Sequence, residues 1–93
     1  MRLAIVAILD LHEGKQAAFQ EFEARAEGIM ARHDGRIESR VRSGLDREIH
    51  VVTFPDRESF ERYRSDPDTR ALAERRATLV RRTGLWVGSG HRR

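Results

Sequence analysis

Arg76 interrupts an apolar stripe, falling between Leu72-Ala73 and Leu79-Val80 on a segment whose spacing predicts a helix. A guanidinium in that position must reach the rim or meet an anion, because an unpaired buried charge is costly. Its planar donors match a carboxylate or phosphate, so one reading is a grip on the acid group of a ligand. The other, commoner arrangement is an intrachain pair with Asp10, Glu38 or another carboxylate. His33 falls on the apolar side of the last turn of the first predicted helix. It is a candidate general base, although packing or capping of the helix end explains its position more simply. His50, the other candidate catalytic residue, lies in a strand apolar on both faces, so a one-residue change of register reverses the face it occupies. Tyr63 and Trp86 are candidate ligand-binding residues. Aromatics so placed more often belong to a core, with the polar tip reaching a partner.

Other chemistries find little support. His12-Glu13 lacks the second histidine of a His-Glu-x-x-His zinc helix. The 4 histidines are scattered without metal-ligand spacing and cysteine is absent, so no metal site, no cofactor and no disulfide is expected. There is no serine elbow, and Gly84, Gly88 and Gly90 form no phosphate-binding loop.

The 93 residues fit one small domain over 1–93, with modest stability when alone. The first apolar run is much shorter than the roughly 20 residues of a membrane helix and carries no signal-type cleavage site. The expectation is a soluble cytoplasmic protein without a membrane partner. A net charge of +3 and a high pI invite a nucleic-acid reading. Against it, Lys15 is the only lysine, and acidic residues are interspersed with the arginines. That pattern reads as a solvated face with weak ion pairs, so no nucleic-acid partner is expected.

The positioning elements follow from periodicity. A strand is predicted over Arg2 to Asp10, with Leu3 to Leu9 apolar on both alternating faces. One helix layer covers one face; a second copy of the chain is expected to cover the other. A helix follows from Lys15 to His33, with Phe19, Phe22, Ala26, Ile29 and Met30 on one stripe and Gly28 outside it. Gly35 can take the left-handed position that ends it. The next strand, Arg36 to Ser43, alternates Ile37, Ser39 and Val41 with a charged outer row, which suits a sheet edge. A hairpin at Gly44 to Arg47 leads to a more central strand, Glu48 to Phe54. Asp56 caps a short helix carrying Phe60 and Tyr63. Asp66-Pro67 starts another that runs to about Arg82. Leu85, Trp86 and Val87 form the last strand, and His91-Arg92-Arg93 a loose tail. The fold class is α+β, a ferredoxin-like βαββαβ arrangement with a four-stranded antiparallel sheet in the order 4-1-3-2 and a split second helical segment.

This order of elements resembles the dimeric α/β-barrel superfamily, which includes the antibiotic-biosynthesis-monooxygenase-like proteins. The likeness is carried by Val51-Val52-Thr53-Phe54-Pro55-Asp56, then Phe60, Tyr63, Ser65-Asp66-Pro67, Leu72, Arg76 and a strand ending in Gly88. The second half looks closer still to a widespread branch of uncharacterised proteins in that superfamily. The resemblance implies a homodimer with sheets packed face to face and a pocket between the first helix and the sheet. The superfamily's oxygenases resemble one another in using an asparagine with a tryptophan and a histidine or tyrosine. This chain contains no asparagine, and Asp10 offers only acceptors when ionised.

Two functions compete. One is a homodimeric small-molecule-binding protein, or a cofactor-free enzyme of oxygenase or isomerase type, acting on an apolar ligand with an acid group. The alternative is a non-catalytic structural or regulatory dimer. RNA-recognition modules share the topology but need base-stacking aromatics on the central strands; here only Phe54 is present, at a strand end.

Overall fold

The structure, a computed structural model, describes residues 2–90; the predicted tail at 91–93 lies outside the described residues. The elements are β1 (Arg2–Leu11), α1 (Gln16–Ala31), β2 (Arg36–Ser43), β3 (Arg47–Phe54), α2 (Arg57–Ser65), α3 (Pro67–Ala71), α4 (Ala73–Leu79) and β4 (Val80–Gly90). The strands form one antiparallel sheet in the order β2-β3-β1-β4. This is the expected ferredoxin-like α+β arrangement.

The alternation of β1 divides the two faces. Leu3, Ile5, Ala7, Leu9 and Leu11 point at the helices and are buried. α1 meets them with Phe19, Phe22, Ala26, Ile29 and Met30. One core cluster joins Leu9, Leu11, Phe19, Phe22, Leu79 and Val80; a second joins Leu3, Ile5, Met30, Val52, Phe54 and Phe60. The opposite face carries no helix. Val6 lies there between Val51 and Trp86, and the Trp86 indole folds against Gly84.

The helix caps follow the sequence. The Asp56 carboxylate accepts from the Ser59 N–H at 2.7 Å, and that bond holds its pKa below the ordinary value. Asp66 accepts from the Asp68 N–H at 2.9 Å, with Pro67 in the first turn.

Three local expectations are corrected. The left-handed residue after α1 is Asp34 (φ 62°), not Gly35. Gly35 instead lies against the Phe54 ring, and its N–H donates to the Met30 carbonyl at 2.9 Å. The long helix from Asp66-Pro67 does not reach Arg82: it breaks at Leu72 and turns into strand at Val80. Cross-strand pairing overrides local propensity there. Arg82 and Arg47 flank Asp10 at 3.2 and 2.7 Å, and the Arg47 hydrogen bond leads in holding the Asp10 pKa down. The His12 N–H also ties to the Leu79 carbonyl at 2.9 Å. The third correction is the outer row of β2. A register shift between Ile37 and Ser39 brings Arg40 opposite His50 and Arg42 opposite Glu48, on the helix side. Val41 turns to the open face instead, opposite Ile49.

Candidate functional site

A cavity of about 710 Å³ lies between the helices and the sheet. Its apolar wall includes Ile5, Ala7, Phe19, Phe22, Met30 and Leu85. That volume fits the range of small-molecule sites, which combine apolar walls with a few placed polar groups. Three of its lining residues are arginines, Arg64, Arg70 and Arg76, while Glu23 is the one acidic lining residue among those described.

Arg76 is half-buried, and its Nη2 donates to Thr83 Oγ1 at 2.6 Å. Neither carboxylate proposed for it from the sequence is engaged with it: Asp10 is held by Arg47 and Arg82, and Glu38 by Arg36 and Arg2. No carboxylate lies within salt-bridge distance of Arg76 among the described residues. Burial lowers its pKa, with Tyr63 opposing, but a guanidinium stays charged at any ordinary pH. Tyr63 lines the same cavity; burial raises the pKa of its phenol, which therefore stays a neutral donor. Thr69 Oγ1, in the α3 wall, is buried without a partner.

His50 settles on the helix side, buried, with its ring 6.1 Å from that of Phe19. Its Nε2 stands 2.9 Å from Glu48 Oε1 and 3.0 Å from Glu23 Oε2. Arg40 Nε holds Glu23 Oε1 at 2.7 Å and also reaches Glu27; Arg42 lies 3.4 Å from Glu48 Oε2. Burial works against the imidazolium, but Glu23 and Glu48 outweigh it and raise the His50 pKa above 6.5. Glu48 and Thr83 both pair with Leu9, on either side of β1. The His50 cluster and the Thr83 anchor of Arg76 thus stand two strand spacings apart, roughly 10 Å at the backbone.

The sequence candidates divide. His50, Tyr63 and Arg76 line one cavity. His33 and Trp86 are not among its lining residues. His33 follows the end of α1 and bonds the Asp66 cap through Nε2 at 2.8 Å, the contact that leads in lowering the Asp66 pKa. Trp86 lies on the uncovered sheet face, 59% exposed. Glu23, Glu48, Arg40, Arg42 and Thr69 were not singled out by the sequence. Glu23 carries a visible signal, since it stands on the α1 apolar stripe four residues after Phe19 and three before Ala26.

A pH dependence follows from His50. A group whose pKa is higher folded than unfolded contributes stability fully below the unfolded value and loses it as pH rises through the folded one. Urea midpoints should therefore decline as pH rises above about 6.5. His50→Gln should flatten that decline; an undiminished slope in the variant would place its origin elsewhere.

The architecture is a ferredoxin-like α+β fold with one helix-covered sheet face. No protein-family model matches the chain, and no curated protein sequence matches it. Solved structures do. SnoaB, a cofactor-independent oxygenase from Streptomyces nogalater, superposes with a TM-score of 0.84 at 18% identity over 99% of this chain and 95% of that one. A Nitrosomonas europaea protein assigned provisionally to the antibiotic biosynthesis monooxygenases gives 0.82 at 13% identity, covering 96% and 89%. An uncharacterised NIPSNAP domain protein from Burkholderia xenovorans gives 0.76 at 15%, covering 96% and 94%. At such identities the likeness is one of fold. No described helix is long and apolar enough to cross a membrane.

Proposed function

We propose that this chain is a homodimeric small-molecule-binding protein whose cavity takes an apolar ligand bearing an acid group. The observation that carries the reading is the Arg76 guanidinium, held in an apolar cavity wall by Thr83 with no carboxylate within salt-bridge distance among the described residues. A bound carboxylate supplies the missing anion through two parallel hydrogen bonds. The unpartnered Thr69 hydroxyl and the neutral Tyr63 phenol are further polar groups in the same walls. A ligand anchored at Arg76 and spanning roughly 10 Å brings its far end to His50. His50 then provides a proton-transfer group, the requirement of an isomerase-type reaction without a cofactor. The oxygenase type draws support from the SnoaB fold alone, because the chain lacks the asparagine that the resemblance to the superfamily's oxygenases implies. Homodimerisation is supported by the apolar residues on the uncovered sheet face.

The test is thermal unfolding with a panel of aromatic and aliphatic carboxylates and their neutral amides. Selected carboxylates should raise Tm and the amides should not. Arg76→Ala should weaken binding about 10–100-fold, the loss of a charge-assisted pair, while changing stability by less than about 1 kcal/mol. Absence of any carboxylate-selective shift would instead support the non-catalytic structural or regulatory dimer, and equal binding by the variant would overturn Arg76 as the anchor of the acid group.

A further inference from the structure

Glu48 and His50 share one face of β3, and Glu23 reaches them from α1. Glu23 Oε2, Glu48 Oε1 and His50 Nε2 all lie within 4.8 Å of one another. The three residues are 8%, 6% and 4% exposed. One imidazole nitrogen carries one proton and satisfies one acceptor well. Here His50 Nε2 is hydrogen-bonded to Glu48 Oε1, and Glu23 Oε2 is buried with only the ion-pair contact to that same nitrogen and no hydrogen bond of its own. The outward oxygens, Glu23 Oε1 and Glu48 Oε2, face Arg40 and Arg42. Both carboxylates are therefore oriented from behind while their inner oxygens converge with the imidazole on one point, the arrangement that outer partners impose on metal ligands.

We propose that Glu23, Glu48 and His50 bind one divalent first-row transition-metal ion, through Nε2 and one oxygen of each carboxylate. The Nε2–oxygen separations are 2.9 and 3.0 Å. With bonds of about 2.1 Å, such separations subtend roughly 90° at a shared ion, the angle between adjacent ligands of an octahedral or five-coordinate centre. Because Glu23 and His50 line the cavity, the remaining positions open toward it. The imidazole selects zinc, cobalt, manganese, iron or nickel over magnesium and calcium, which prefer oxygen donors alone. The two carboxylates neutralise the ion, while Arg40 and Arg42 oppose it and limit its affinity. Metal and proton compete for the Nε2 lone pair, so binding releases the His50 proton and weakens as pH falls. The site does not depend on the acid-ligand reading, and a metal-loaded His50 could not also act as an acid.

The test titrates the full chain with cobalt(II) alone, followed by visible absorption, with no acid ligand present. One ion per chain should bind, with bands of nitrogen–oxygen coordination. Glu23→Gln and Glu48→Gln should each weaken binding at least tenfold, His50→Gln should abolish it, and His33→Gln should leave it unchanged. A ligand variant that unfolds is bypassed by a readout on the native chain. Substoichiometric manganese(II) should broaden the His50 ring resonances before those of the other three histidines. Cobalt uptake that survives Glu23→Gln, broadening centred on another histidine, or no uptake at all would overturn the site.

Discussion

Gly35→Ala is expected to destabilise the protein by about 2–3 kcal/mol, lowering Tm by roughly 10–20 °C. A Cβ on Gly35 would stand 2.2, 2.5 and 2.7 Å from three carbons of the Phe54 ring, far inside contact distance. The ring cannot withdraw cheaply. Phe54 is 1% exposed, and its ring centroid lies 5.4 Å from that of Phe60 and 5.5 Å from that of Tyr63. The overlap must be relieved by moving β3, α2 or the turn that ends α1. Gly28 provides the contrast. It is exposed within α1 with nothing within 4 Å of its Cβ direction, so Gly28→Ala should stabilise by about 0.5–1 kcal/mol through helix propensity alone. Urea unfolding of the two variants should give shifts of opposite sign. A Gly35→Ala midpoint equal to that of the native chain would mean that Phe54 has room the packing does not show.

Gly35 also marks where sequence reasoning stops. A glycine after a helix suggests left-handed backbone, but Asp34 takes that conformation, and the demand on Gly35 comes from a ring nineteen residues away. The features legible in the chain are those set by neighbours in sequence. The two-sided apolar run of β1, the α1 stripe, the Asp56 and Asp66 caps and the order of elements along the chain all follow from local periodicity and turn chemistry, and the strand order from the ferredoxin-like arrangement that this element order matches. The unread features depend on pairing between distant segments. One register shift at Glu38 turned Arg40 and Arg42 from an expected wet row toward Glu23 and Glu48. The extension of β4 back to Val80 was hidden by arginines compatible with either helix or strand, and emerges only with Asp10 opposite Arg82. Arg76 was legible as an anomaly because a charge on an apolar stripe violates a local rule. Its release from a carboxylate partner was not legible, since that requires knowing that Asp10 and Glu38 are already engaged.

Val6→Asp is expected to convert a dimer into a folded or nearly folded monomer. Val6 sits on the helix-free sheet face, 36% exposed, beside Trp86 at 59%, with Val41 at 53% further across the sheet. A contiguous apolar sheet face left open to water is uncommon in a monomer. A second copy covering it would bury the introduced carboxylate without a partner. That should weaken association by at least about 3 kcal/mol, roughly a hundredfold or more in Kd. Sedimentation at micromolar concentration should show a dimer for the native chain and a monomer for the variant. Trp86 gives an independent readout, because it is the only tryptophan and pairs directly with Val6. Its emission should lie to the blue in the native dimer and shift to the red on dilution or in Val6→Asp. Ala17→Asp, on the exposed side of α1, should leave both assembly and emission unchanged. A native chain that sediments as a monomer with solvent-exposed Trp86 emission would leave the face uncovered and defeat the dimer. Retained dimer in Val6→Asp would move the interface elsewhere. In either case the Arg76 cavity, on the opposite side of the sheet, would still be open to its own test.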